Sequence, residues 1–101
     1  MSDEQAEIVR TLILARLRQV IDPETGADVV RMRLVEGLEV GAAGQVSYTF
    51  RPSSPVCPIA VWLAQQIKQA VAQVPGVVSQ KITVAGYVAA EELTRLINEE
   101  N

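Results

Sequence analysis

The chain has 101 residues, 49% of them hydrophobic, enough for one compact domain with one core (residues 1–101) and too apolar for a disordered tail. Nine basic residues against 12 acidic ones give a formal net charge of −3 with no basic stripe, which argues against a nucleic-acid partner. There is no histidine, so Ser-His-Asp and Cys-His catalytic sets and His-ligated metal sites are excluded.

Only 4% of the residues are aromatic, so the core must come from Val, Leu, Ile and Ala. No apolar run approaches the length of a membrane span, and the acidic N-terminus lacks the basic-then-apolar pattern of a signal segment. A single cysteine cannot form an internal disulfide, which fits a reducing cytoplasm.

The first helix opens at Ser2, with Gln5 placed to complete a capping box. Acids in its first turn (Asp3, Glu4, Glu7) and Arg16 and Arg18 near its end suit the helix dipole. Two rows, Ile8-Leu12-Ala15-Gln19 and Val9-Ile13-Leu17-Val20, predict an apolar stripe laid on a sheet. The helix is expected to stop at Ile21-Asp22-Pro23, because a residue before proline avoids the α region. Asp22 to Gly26 reads as a turn, and Asp28 as the cap of a short turn through Val29 and Val30. Acids are common in turns, so Asp22 and Glu24 have a plain structural reading beside any functional one.

A strand follows, with Leu34, Glu36, Leu38 and Val40 on one face and Val35, Gly37 and Glu39 on the other. That reading leaves Glu36 as an acid on a largely apolar face. Gly41 to Gly44 predicts a hairpin connection. In the next strand, Gln45 to Arg51, Val46, Tyr48 and Phe50 point inward, and Pro52 ends the ladder.

Pro58 suits the first position of a second helix running to about Val74, which makes Cys57 its N-cap or a near neighbour. Unpaired N–H groups and the dipole at a helix start favour thiolate, the form that attacks electrophiles and binds soft metals. The competing reading is a small buried hydrophobe. Trp62 is expected at the rim of the core, the alternative being an exposed anchor for a partner. Pro75-Gly76 stops the helix, Val77 to Ala85 reads as a third strand, and Ala89 to Glu99 as a short amphipathic helix with Leu93, Leu96 and Ile97 on one side.

The predicted fold class is α/β: a two-layer α/β sandwich with a small mixed three-stranded sheet and helices mainly on one face. The hairpin makes the first two strands antiparallel. The crossover makes the second and third parallel, with a right-handed connection expected.

Two motifs read together carry a family resemblance. Asp22-Pro23-Glu24-Thr25-Gly26, Asp28-Val29-Val30 and Leu34-Val35-Glu36-Gly37-Leu38 form the first. Ser53-Ser54-Pro55-Val56-Cys57-Pro58, a helix, and Val74-Pro75-Gly76-Val77 form the second. In this order and spacing, over about residues 7 to 85, the chain resembles the SufT/PaaD-like family of metal–sulfur cluster biosynthetic proteins. The resemblance implies an accessory factor in iron–sulfur cluster assembly or delivery, with no catalysis of its own assigned. It implies site positions at Cys57, Asp22, Glu24, Ser53 and Ser54, the two serines standing where the family usually has threonines. It also implies partners among assembly or client proteins; a homodimer is compatible with the single cysteine, and the lack of a long apolar run predicts no membrane partner. Gly86-Tyr87-Val88-Ala89-Ala90 replaces the family's proline- and tryptophan-rich tail, and the extra C-terminal cysteines of PaaD-like members are absent.

Iron–sulfur clusters take about four ligands, mostly thiolates, and this chain offers one. The expected cofactor contact is therefore transient, with Cys57 as a passing ligand for iron or a cluster. Other readings remain: a cluster shared by two subunits and completed by carboxylates or a small thiol, an interaction module using Trp62 and the glutamine face of the second helix, and a thiol-dependent enzyme. The enzyme has only Arg51 close in sequence to activate the thiol.

Overall fold

A computed structural model describes residues 3–99. Its elements are α1 (Asp3–Leu17), β1 (Val35–Val40), β2 (Gln45–Phe50), α2 (Ala60–Ala72), β3 (Ser79–Val84) and α3 (Ala90–Glu99). The three strands lie in the order β1-β2-β3, with β1 antiparallel and β3 parallel to β2. This is the small mixed sheet expected of the α/β chain, and no helix among the described residues is long and apolar enough to cross a membrane. The capping box at Ser2 lies outside the described residues.

The alternation in β2 holds: Val46, Tyr48 and Phe50 are buried while Ser47 and Thr49 are not. The same face of β3 buries Gln80, Ile82 and Val84. Leu63, Ile67 and Val71 of α2, Val9, Ile13 and Leu17 of α1, and Leu93 and Ile97 of α3 complete the core. Each large aliphatic side chain fully removed from water contributes about 1.5–3 kcal/mol, so a core with few aromatics suffices. One deep polar feature of it is Tyr48, 3% exposed. The phenol donates to Gln80 Oε1 (2.8 Å), and Gln80 Nε2 donates to the Lys68 carbonyl (2.9 Å). Burial pushes the Tyr48 hydroxyl well above its usual pKa, so it stays a donor.

Several sequence expectations shift. Helix α1 stops at Leu17, not at Ile21. The N–H groups of Gln19 and Val20 reach back only three residues, to Arg16 and Leu17, and tighten the end. The Val20 carbonyl then accepts from Val29, so the chain closes on itself before Pro23 can act. Only one of the two expected apolar rows of α1 is buried; Ile8 and Leu12 are 55% and 42% exposed. In α3, Leu96 is likewise exposed beside the buried Leu93 and Ile97.

The largest correction concerns Glu36. The β1–β2 register runs Val35↔Phe50 and Glu36↔Thr49, then slips to Glu39↔Ser47 and Val40↔Val46. Gly37 and Leu38 thus oppose the single residue Tyr48. Gly37 has φ 62°, a left-handed conformation that glycine adopts without a Cβ penalty. One inserted residue reverses the alternation. Glu36 therefore shares the open face with Thr49, opposite to Leu38 and Val40, and its Oε1 accepts from Arg51 Nε at 2.8 Å. Both side chains are about half exposed (46% and 51%), so the pair contributes at most about 1 kcal/mol.

Candidate functional site

Three irregular segments meet where β1 begins and β2 and β3 end. The Arg51 N–H donates to the Leu34 carbonyl (2.7 Å), Ala85 to Phe50 (3.0 Å) and Val88 to Pro55 (2.8 Å). These bonds set Leu34, the 50–55 stretch and residues 85–88 side by side at one end of the sheet. In open α/β sheets, ligands bind beyond the carboxyl ends of the parallel strands, which is this end.

The acidic turn closes tightly. The Asp22 N–H donates to Ala27 (2.9 Å), and the Asp22 carbonyl accepts from Gly26 (2.8 Å), whose φ of 73° suits the turn. The Asp22 side chain turns inward, 1% exposed, and its Oδ1 accepts from the Glu24 N–H at 2.8 Å. Glu24 points to solvent. The two acids of the motif thus differ: Asp22 braces the turn from within and Glu24 faces solvent. Asp28 caps as expected, its Oδ1 accepting from the Arg31 N–H at 2.9 Å.

The cysteine segment is built from two proline turns. The Cys57 N–H donates to the Ser54 carbonyl (3.2 Å), and the Ala60 N–H donates to the Cys57 carbonyl (3.3 Å). Pro55 and Pro58 occupy the second position of these turns, where a fixed φ favours them. Ser54 Oγ accepts from the Val56 N–H (3.2 Å) and stiffens the first turn; Ser53 is exposed. Helix α2 therefore begins at Ala60 with Ile59 as its N-cap, two residues beyond Pro58, and Cys57 is not the cap. Continuing as turns rather than helix points the thiol inward: Cys57 is 3% exposed and belongs to the core with Ala60 and Leu63. Among the described residues no group of three or more His, Cys, Asp or Glu could hold a metal ion, so Cys57, Asp22 and Glu24 are not gathered into a ready ligand set.

The surface around this end is more apolar than the motif suggested. Val56 is 71% exposed and Val88 76%, and the Val88–Pro55 bond sets them on adjoining loops. At the start of α2, Val61 and Trp62 are 48% and 45% exposed, so Trp62 keeps about half of its surface open to solvent. The clue to Val56 lay in its place between two prolines, which keeps it out of both strand and helix.

The chain belongs to the iron–sulfur cluster assembly protein family, whose model matches residues 10–84. It is similar to an uncharacterized protein of Methanocaldococcus jannaschii, 32% identical over 87 residues, covering 86% of this chain and 92% of that one. It is also similar to the Fe-S protein maturation auxiliary factor YitW of Bacillus subtilis, 31% identical over 78 residues, covering 77% and 76% of the two chains. In fold it matches the crystal structure of a domain of unknown function, DUF59, from Bacillus anthracis, with a TM-score of 0.74 at 24% identity over 98% of this chain and 96% of that one.

Proposed function

We propose that this chain is an accessory factor in iron–sulfur cluster assembly or delivery, and that it handles iron or a cluster as cargo through a transient bond to Cys57. The observation that supports this is the Arg51–Leu34 bond, which sets the chain entering the cysteine segment beside the end of the stretch that carries the acidic turn, at the carboxyl end of the parallel strands. A lone thiolate cannot keep a cluster that needs about four ligands, so it suits passage rather than storage. With the sulfur 3% exposed, passage requires residues 53–58 to swing outward. Ser53, Pro55, Val56 and Pro58 are already exposed, so what the movement gives up is chiefly the core contact of Cys57 and the Val88–Pro55 bond. Asp22 and the solvent-facing Glu24 would then supply hard oxygen ligands or hydrogen-bond acceptors, with Ser53 and Ser54 lining the loop. The partners are assembly or client proteins that provide the remaining ligands.

Anaerobic loading with iron and sulfide, followed by transfer to an apo-ferredoxin acceptor, tests the thiolate role. Cys57→Ala is the suitable variant, because it leaves no buried unpaired hydroxyl and costs only about 1 kcal/mol of packing. The expected result is at least a tenfold slower transfer with the circular dichroism spectrum unchanged. Equal transfer by both proteins removes Cys57 from the mechanism.

A second reading has its own observation, the exposed Trp62 with Val56, Val61 and Val88. In this reading the chain positions partner proteins without touching metal. Buried aromatic anchors carry much of the energy of such contacts, so Trp62→Ala should weaken acceptor binding by about 2 kcal/mol, roughly thirtyfold. Cys57→Ala should leave that binding unchanged. Titration of each variant with the apo-acceptor by calorimetry separates the readings.

A further inference from the structure

Strand β3 lies at one edge of the sheet, and its outer side is closed in an unusual way. The Ile82 N–H donates to Asn98 Oδ1 (2.9 Å) while Asn98 Nδ2 donates to the Ile82 carbonyl (2.7 Å). Two residues on, the Val84 N–H donates to Thr94 Oγ1 (2.9 Å). One side-chain amide thus offers Ile82 the same donor and acceptor that a facing residue of an antiparallel strand would offer. Lys68 Nζ donates to the Ile97 carbonyl (2.5 Å) and ties the end of α3 to α2. The stretch matched by the family model ends at residue 84, so α3 lies outside it.

We propose that α3 is an edge guard: Asn98 and Thr94 occupy the hydrogen-bonding edge of β3 and hold it back from antiparallel pairing with β3 of a second copy. An open edge strand is a template for pairing, and natural sheets cover or charge such edges. The sequence of β3 is self-complementary in one register. Centred on Ile82, antiparallel pairing sets Ile82 against Ile82 and Gln80 against Val84, the positions whose backbone groups point away from β2. The same register sets Lys81 against Thr83 instead of a second Lys81, so no like charges face each other. A second copy can supply what Asn98 and Thr94 now supply once α3, held on this edge also by the buried Leu93 and Ile97, has swung away from it.

The test uses the full chain carrying Thr94→Ala and Asn98→Ala together, followed by sedimentation velocity and by hydrogen exchange at the Ile82 and Val84 amides. Dilute protein should exchange these amides at least about tenfold faster than wild type, since the net worth of such a bond is near a factor of ten. At higher concentration the mass should double relative to wild type and the same amides should slow again. Adding Thr83→Lys, which sets like charges opposite Lys81 in the proposed register, should abolish the dimer. The proposal is overturned if the double variant keeps the wild-type mass while its edge amides exchange freely. It is also overturned by a dimer whose Ile82 amide stays fast, or by one that Thr83→Lys does not affect. If the double variant unfolds, Thr94→Ala alone is run through the same series with Val84 as reporter, and a wild-type mass with a fast Val84 amide is again the overturning result.

Discussion

Replacing Gly44 by alanine is expected to destabilise the chain by more than about 3 kcal/mol, because strain and overlap add. Gly44 closes the β1–β2 hairpin at φ 82°. A side chain there meets the ordinary penalty for the left-handed region, about 1–2 kcal/mol. The added Cβ would also overlap the Gly76 carbonyl oxygen and lie 2.8 Å from Val78 Cγ2. The Gly76 oxygen is backbone in the turn between α2 and β3, and the Val78 N–H donates to the Gly44 carbonyl at 2.8 Å, so neither segment can retreat without breaking the other. Gly37 is the matching control. Its φ is also positive, at 62°, but nothing lies within 4 Å of its Cβ position. Gly37→Ala should therefore cost only the strain. At about 4–8 °C per kcal/mol for a domain of this size, the remaining difference of about 1–2 kcal/mol or more should separate the two melts by roughly 5–15 °C. Equal melting points would mean that the hairpin and the α2–β3 turn do not touch.

The second large effect is expected at Asp22. Removing a nearly fully buried carboxylate that accepts the Glu24 N–H leaves that donor without its partner and opens the acidic turn. A hydrogen bond to a charged group contributes about 1.5–3 kcal/mol, so Asp22→Ala should lower stability by about 2 kcal/mol in urea titration. Asp22→Asn keeps an acceptor oxygen in the same place and should lose less than about 1 kcal/mol. The pair also probes function. If the carboxylate charge serves the cargo, Asp22→Asn will fold nearly as well as wild type yet transfer more slowly to the apo-acceptor. A variant that is stable and fully active would leave Asp22 only its role as a brace. Measuring Glu24→Gln beside it isolates the exposed acid, which has no comparable structural bond to lose.

Strands, helices and turn positions were largely legible in the residues. Val46, Tyr48 and Phe50 alternate with polar neighbours, and Pro75-Gly76 ends a helix by local chemistry that needs no distant partner. The two motifs sufficed for the family resemblance, and Asp28 did what its place in the turn implied. The site was less legible. Pro58 fits a helix start and also the second position of a β-turn, and periodicity does not choose between them. The choice fell to the turn, and it decided the direction of the only thiol.

What the sequence determined by itself is therefore the set of elements and their order, because periods of 2 and 3.6 residues and the φ preferences of proline and glycine act locally. Which way the chemistry faces was decided only by tertiary structure. A one-residue bulge at Gly37 sent Glu36 to the open face beside Arg51. Two consecutive turns put Cys57 into the core. Asn98, 16 residues from Ile82, came to close the sheet edge. The bulge and the edge closure depend on contacts between segments distant in the chain, and the two local turns prevail over a helix start only because the core receives Cys57, so these energies do not appear in any local window of residues.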